Sequence, residues 1–289
     1  TARFDATKHH SHAVVGDARE TLVELSSTLG NYRASDAWST TAATEVAKSN
    51  AYIDKLAAAT STSETGLPTY AQVVGAIDRK ADEHTFALAA AGGFPGEVNN
   101  GWRTKHLNSF DCEYGFSCMG YEVSGGWGAA MALPDKDVVV FVGDGSYLML
   151  NSDIYSSVIH GHKMIVIVCD NGGFAVINRL QINTGGVPYN NLIKDNPTVV
   201  NPAAVDFAAH AAAMGALSES VASIDELEAA YDRAKAADRT TVISLVTDAY
   251  SWTEGGSFWQ VGIPEVSDLQ GVRDAKAEWD EGLNDQRIG

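Results

Sequence analysis

Basic residues are scarce: 20 Lys and Arg stand against 37 Asp and Glu, a net charge of −17. A surface this poor in cations offers no footprint for the phosphates of nucleic acid or of an anionic membrane, which clustered positive charge holds. Long apolar runs are also missing, since none approaches the ~18–20 residues that cross a bilayer. The start, Thr1-Ala2-Arg3-Phe4-Asp5, has neither the basic head nor the apolar core of a secretory signal. A cytoplasmic location is the expectation that follows. The chain lacks an initiator Met and is therefore expected to be a processed or cut product. Cysteine is rare: Cys112, Cys118 and Cys169 form no CxxC pattern, and an odd number without a signal argues for reduced thiols. The stretch His9-His10-Ser11-His12 lacks convergent partners and reads as a solvated loop rather than a metal site.

What is present suffices for a full core, with 45% hydrophobic residues in 289. Its densest part runs from Val138 to Phe174. Two β-branched runs, Val138–Val142 and Met164–Val168, read as buried parallel strands, and the amphipathic run Tyr147–His160 between them reads as a crossover helix. The pattern recurs around this βαβ unit. Helices are predicted over Thr69–Ala81, Gly120–Ala132, Phe174–Leu180, Ala203–Met214 and Ile224–Ala237, and strands over Thr85–Ala90 and Thr241–Val246. Strands alternating with helices predict an α/β fold: a doubly wound parallel sheet flanked by helices. Residues 67–250 form this unit. Before it, a strand His12–Val15 and a helix through Leu29 resemble the last βα unit of another α/β domain, residues 1–30. A helix Trp38–Ala59 and the linker-like Thr60–Gly66 fill residues 31–66, and residues 251–289 form a helix-prone tail with Trp252 and Trp259 beside Gly255-Gly256.

Both central strands end in polar turns, Gly143-Asp144-Gly145 and Asp170-Asn171-Gly172-Gly173, and ligands of parallel sheets sit off the carboxyl ends of strands. Asp144 offers an anionic oxygen, Asn171 an amide oxygen and Gly173 a backbone carbonyl. Such hard donors suit Mg²⁺, which completes its octahedron with phosphate and water. Gly143 and Gly145 let the backbone approach a phosphate, and a helix starting near Ser146 points free N–H groups at it. The glycine cluster Gly92-Gly93-Phe94-Pro95-Gly96, at another strand end, is either a second wall for phosphates or a plain loop. No GxGxxG follows the first strand of a βαβ unit, which weakens a dinucleotide-binding reading.

The GDG…DN pair, with residues 146–169 between its halves, resembles the cofactor fingerprint of thiamine-diphosphate enzymes. That resemblance implies the α/β domain holding the cofactor's diphosphate, with Asp144, Asn171 and the Gly173 carbonyl on Mg²⁺. It implies Gly93, Phe94, Gly145 and Ser146 near the diphosphate, and Gly120, Gly143, Gly172 and Phe174 beside them. Met119 would prop thiamine diphosphate in its bent shape, although ordinary core is the commoner fate of a lone Met. The segments GFPGEVNNGWR (93–103), EYGFSCMGYEVSGGWGAAMA (113–132), GDGSYLMLNSDIYSSV (143–158) and DNGGFAVINRLQ (170–181) resemble the family of hydrolases that open a trihydroxycyclohexane-1,2-dione ring in inositol catabolism.

Membership would imply hydrolytic C–C cleavage of a cyclic 1,2-dione by a longer, homo-oligomeric enzyme. The catalytic glutamate that activates the cofactor is expected outside this chain, on a pyrimidine-binding domain in the rest of the enzyme or on another chain. This chain would then be half an active site. Asn178, Arg179, Gln181 and Asn183, just past the metal loop, are candidates to meet substrate hydroxyls, or else polar residues of a surface helix. Two alternatives remain open: a thiamine-dependent decarboxylase or carboligase acting on a 2-keto acid, or a non-catalytic assembly module.

Overall fold

The computed structural model describes residues 12–60, 63–254 and 262–284. His9, His10 and Ser11 of the histidine stretch, together with Gly255, Gly256 and Trp259, lie outside them. Two helices come first, α1 (Ala18–Leu29) and α2 (Asp36–Ala57), capped by the side chains of Asp17 and Ser35. α1 buries none of its residues, so Leu22, Leu25 and Leu29 face outward. The strand expected at His12–Val15 does not form: these residues are exposed and irregular, because no sheet edge lies beside them to supply hydrogen bonds. α2 packs on α3 (Tyr70–Lys80), which a capping box between Thr69 and Gln72 opens.

The chain then runs through β1 (Thr85–Ala89), α4 (Phe94–Gly101), β2 (Phe110–Cys112), α5 (Tyr121–Ala132), β3 (Asp137–Gly143), α6 (Asp144–Leu150) and α7 (Ser152–His160). It continues with β4 (Ile165–Asp170), α8 (Ala175–Asn183), α9 (Phe207–Ala213), β5 (Leu217–Val221), α10 (Ile224–Ala236), β6 (Thr241–Val246) and α11 (Gln270–Asn284). All six strands are parallel, in the order β2-β1-β3-β4-β6-β5. From β1 the chain steps outward to β2 and then returns to the far side of β1 as β3. That reversal opens a crevice above the carboxyl ends of β1 and β3, the place where doubly wound sheets bind ligands.

Alternate residues of each strand serve two cores. Val139, Phe141, Ile165, Ile167 and Ile243 pack under α3, α4 and α10, whereas Val138, Val140, Val142, Val166, Val168 and Val242 pack under α5, α7 and α9. Continuous β-branched runs are stable here because both faces are covered. α5 sits close on the sheet because of Gly126: a Cβ there would lie 2.3 Å from Val140 Cγ2.

Several elements depart from the sequence reading. The crossover helix begins earlier, at Asp144, and is interrupted at Asn151, whose side-chain amide donates to Leu148 O (3.1 Å) and competes with the helical backbone. The glycine cluster at 92–96 opens a helix, α4, with Pro95 in its first turn where a missing N–H costs nothing. The helix expected from Ala203 starts at Phe207, where the Asp206 side chain caps Ala209 N–H (2.8 Å). Strands β2 and β5 were not expected, being edge strands that are short or only half-buried.

Candidate functional site

A cavity of about 350 Å³ occupies the crevice. Gly93 and Phe94 line it from the β1 end, and Gly143, Asp144, Gly145 and Ser146 from the β3 end. Asn171, Gly173 and Phe174 line it from the β4 end, and Met119 from the approach to α5. Two of the residues named from sequence lie elsewhere. Gly120 is buried behind the cavity, left-handed (φ 95°), with its N–H on a Glu122 carboxylate oxygen (2.9 Å). Gly172 lines a neighbouring cavity of about 570 Å³, and its carbonyl accepts Ile193 N–H (2.9 Å).

Asp144 is 6% exposed and has no Lys or Arg partner among the described residues. Burial, followed by the adjacent Asp170 carboxylate, pushes its pKa up to about 7, against the backbone N–H groups of Gly145 and Gly173 that favour its charged form. Asn171 Nδ2 donates to the Tyr70 hydroxyl (2.8 Å), which leaves Asn171 Oδ1 buried without a hydrogen-bond partner. A buried carboxylate short of positive charge thus sits beside a buried amide oxygen short of a donor. A divalent cation would satisfy both, so these residues fit one. No three His, Cys, Asp or Glu side chains gather as a metal set among the described residues. Gly145 keeps the cavity floor open: a Cβ there would lie 2.6 Å from Phe174 Cε1 and 3.4 Å from Met119 Cε.

The elevated Asp144 pKa has a sign that can be tested. The folded chain holds this proton more tightly than the unfolded chain, so the group's stabilising contribution is full below the ordinary carboxylate range and is lost as pH rises through about 7. The chemical-denaturation midpoint of the cation-free chain should therefore be lower near pH 8 than near pH 6, with a smaller drop for Asp144→Asn. Equal drops in both proteins would show that Asp144 is not the group responsible.

The side chains expected to meet substrate do not reach the cavity. Asn178 is buried, with Oδ1 unpartnered; Arg179 lies over the Trp252 ring (4.7 Å) and pairs with Glu254 (3.7 Å). Gln181 accepts from Asn191 Nδ2 (2.6 Å), and Asn183 is exposed. Helix periodicity explains this, for α8 turns Ala175, Val176, Ile177 and Leu180 to the cavity instead.

Three side chains that no local motif marks organise the walls. Tyr70 stacks on Phe94 (centroids 4.0 Å apart, 6° between planes) and supports Asn171. Glu122, fully buried, accepts Ala91 N–H and Gly120 N–H (both 2.9 Å), joining the β1 tip to the start of α5; burial raises its pKa. Glu97 on α4 accepts both the N–H (2.8 Å) and the hydroxyl (2.6 Å) of Thr253, a latch between α4 and the segment after β6.

The parallel sheet, its reversal between β1 and β3, and the polar Asp144–Asn171 pair at that reversal are the architecture of a doubly wound ligand-binding domain. Residues 90–245, over half the chain, match the family "Thiamine pyrophosphate enzyme, C-terminal TPP binding domain", and the chain belongs to that family. Among curated relatives it is similar to the 3D-(3,5/4)-trihydroxycyclohexane-1,2-dione hydrolase of Halalkalibacterium halodurans, 37% identical over 69% of this chain and 31% of the relative. The hydrolase of the same name from Geobacillus thermodenitrificans is 31% identical over 98% of this chain and 48% of the relative. The chain therefore spans about a third to a half of the length of these relatives. The crystal structure of benzoylformate decarboxylase from Polynucleobacter necessarius shares the fold, with TM-score 0.54 and 20% identity over 66% of this chain and 35% of that one. No described helix is long and apolar enough to cross a membrane.

Proposed function

We propose that this chain supplies the diphosphate and Mg²⁺ side of the site in a thiamine-diphosphate-dependent hydrolase that opens 3D-(3,5/4)-trihydroxycyclohexane-1,2-dione to 5-deoxyglucuronate in inositol catabolism. The observation that carries the cofactor half is the Asp144–Asn171 pair. Asp144 would give the cation its anionic oxygen, and Asn171 Oδ1 and the Gly173 carbonyl its neutral ones. Gly145 keeps the floor clear, and Met119 and Phe174 close over it as apolar walls. When bound, the cofactor supplies the electron sink that cleaving a C–C bond between two carbonyl carbons requires. Val176 and Leu180 form an apolar flank on one side, while the hydroxyls of Tyr114 and Ser117 are the polar groups a polyhydroxylated ring could meet.

The choice of substrate rests on similarity to the dione hydrolases along nearly the whole chain. The remainder of the site belongs to a pyrimidine-binding domain, brought in by a longer polypeptide or a second chain across a homo-oligomer contact, in the cytoplasm. The test is a full-length enzyme carrying these residues, loaded with thiamine diphosphate and Mg²⁺ and offered the cyclic dione or pyruvate. Release of the ring-opened acid is expected. Turnover of pyruvate with no attack on the dione would overturn the substrate assignment in favour of a decarboxylase or carboligase.

A further inference from the structure

We infer that Tyr70 is a positioning residue for the cation site, acting through Asn171; this rests on the reading of Asn171 as a cation ligand. An asparagine that gives Oδ1 to a metal turns its Nδ2 donors the other way, and inside a protein those donors need an acceptor. Tyr70 Oη is that acceptor, 2.8 Å from Nδ2, while Oδ1 is left buried and unpartnered. With the hydroxyl in place, presenting the oxygen leaves no stranded N–H. Without it, the ligating orientation strands a donor, and an amide turned the other way offers the cation nitrogen instead of oxygen.

The rest of Tyr70 is held so that this oxygen stays in place. Its backbone starts α3, directly after the Thr69 cap and its reciprocal bonds with Gln72. Its ring lies flat on Phe94, and the Cβ positions of Gly93 and Gly143 would fall 3.3 Å from ring carbons and 3.4 Å from Oη. One tyrosine thus touches the tips of β1, β3 and β4 together. Groups behind a metal ligand are typically worth ~10–100-fold in metal affinity, and a residue locked by packing on three walls is suited to that task.

Tyr70→Phe keeps the ring and its stacking and removes only the acceptor. The measurement is Mn²⁺ binding to the 289-residue chain in the presence of inorganic pyrophosphate, followed by electron paramagnetic resonance, with near-ultraviolet circular dichroism as a check on packing. Tyr70→Phe should weaken Mn²⁺ about 10–100-fold with the dichroism unchanged. Combined with Asn171→Ala it should weaken binding no further than Asn171→Ala alone, since both changes remove one interaction. Should Asn171→Ala lose affinity while Tyr70→Phe binds as the unaltered chain does, the inference falls alone. Additive losses would also overturn it, by showing that Tyr70 reaches the cation by another route. Full affinity in Asn171→Ala, or no Mn²⁺ binding by the unaltered chain, removes the ligand reading and this inference with it.

Discussion

Asp144→Ala should abolish Mg²⁺-dependent binding of thiamine diphosphate, with a loss of about 100-fold or more, as expected when a Mg²⁺ site loses its charged protein oxygen. Among the described residues Asp144 is the only carboxylate lining the cavity. Mg²⁺ sites rely on one or two carboxylates, and the neutral oxygens of Asn171 and Gly173 cannot replace one. The fold should survive. Asp144 is buried without a cationic partner, so removing it relieves an unfavourable charge burial instead of breaking an ion pair. Calorimetric titration of cofactor with Mg²⁺, beside a melting curve, separates the two effects. Unchanged affinity in a folded variant would remove Asp144 from the site.

The second large effect is an absence of turnover. The 289-residue polypeptide, given thiamine diphosphate, Mg²⁺ and the cyclic dione, should open the ring no faster than the cofactor in free solution. Acid–base help from a positioned group is worth ~10²–10⁴-fold, and correct placement of reactants more again. The cavity has little to offer toward that. Its one carboxylate is the one proposed to hold the cation, and no His, Lys or Arg of the described residues lines it. The Tyr70 phenol stays protonated and so cannot take up a proton, as burial and then the neighbouring Cys169 and Asp144 groups hold its pKa well above the ordinary value. Adding a polypeptide that carries a pyrimidine-binding domain should restore turnover. Robust hydrolysis by the isolated chain, with no second polypeptide detectable by mass spectrometry, would overturn the division of the site.

The parts of this molecule that were legible in its sequence are those whose physics is local. β1, β3, β4 and β6 declare themselves as apolar runs because both of their faces are buried, and the tips of β3 and β4 carry their polar donors within a few residues of the strand ends. β2 and β5 at the sheet edges have no such signature, being three residues long in one case and half-exposed in the other. Side chains that support the proposed cation ligands are invisible for another reason. Tyr70 reaches Asn171 across 101 positions, a proximity created only when the strands align. The polar residues after Asn171 misled for the converse reason. Sequence nearness to the loop suggested a role at the cavity, but helical rotation gave Arg179 to Trp252 and Leu180 to the cavity.

The latch between Glu97 and Thr253 closes a span of 156 positions. Protein synthesis is vectorial, so α4 leaves the ribosome long before its partner exists. Every strand of the sheet, and Asp144, Asn171 and Gly173 as well, precede Thr253 in the chain. A nascent polypeptide can therefore pair all six strands and gather all three donors while the Glu97 carboxylate still waits, buried, for the two hydrogen bonds that tie α4 down. The wall of the cavity carrying Gly93 and Phe94 thus gains its Glu97–Thr253 tie only after the whole sheet has been made, so that tie is the last of the wall's supports to form.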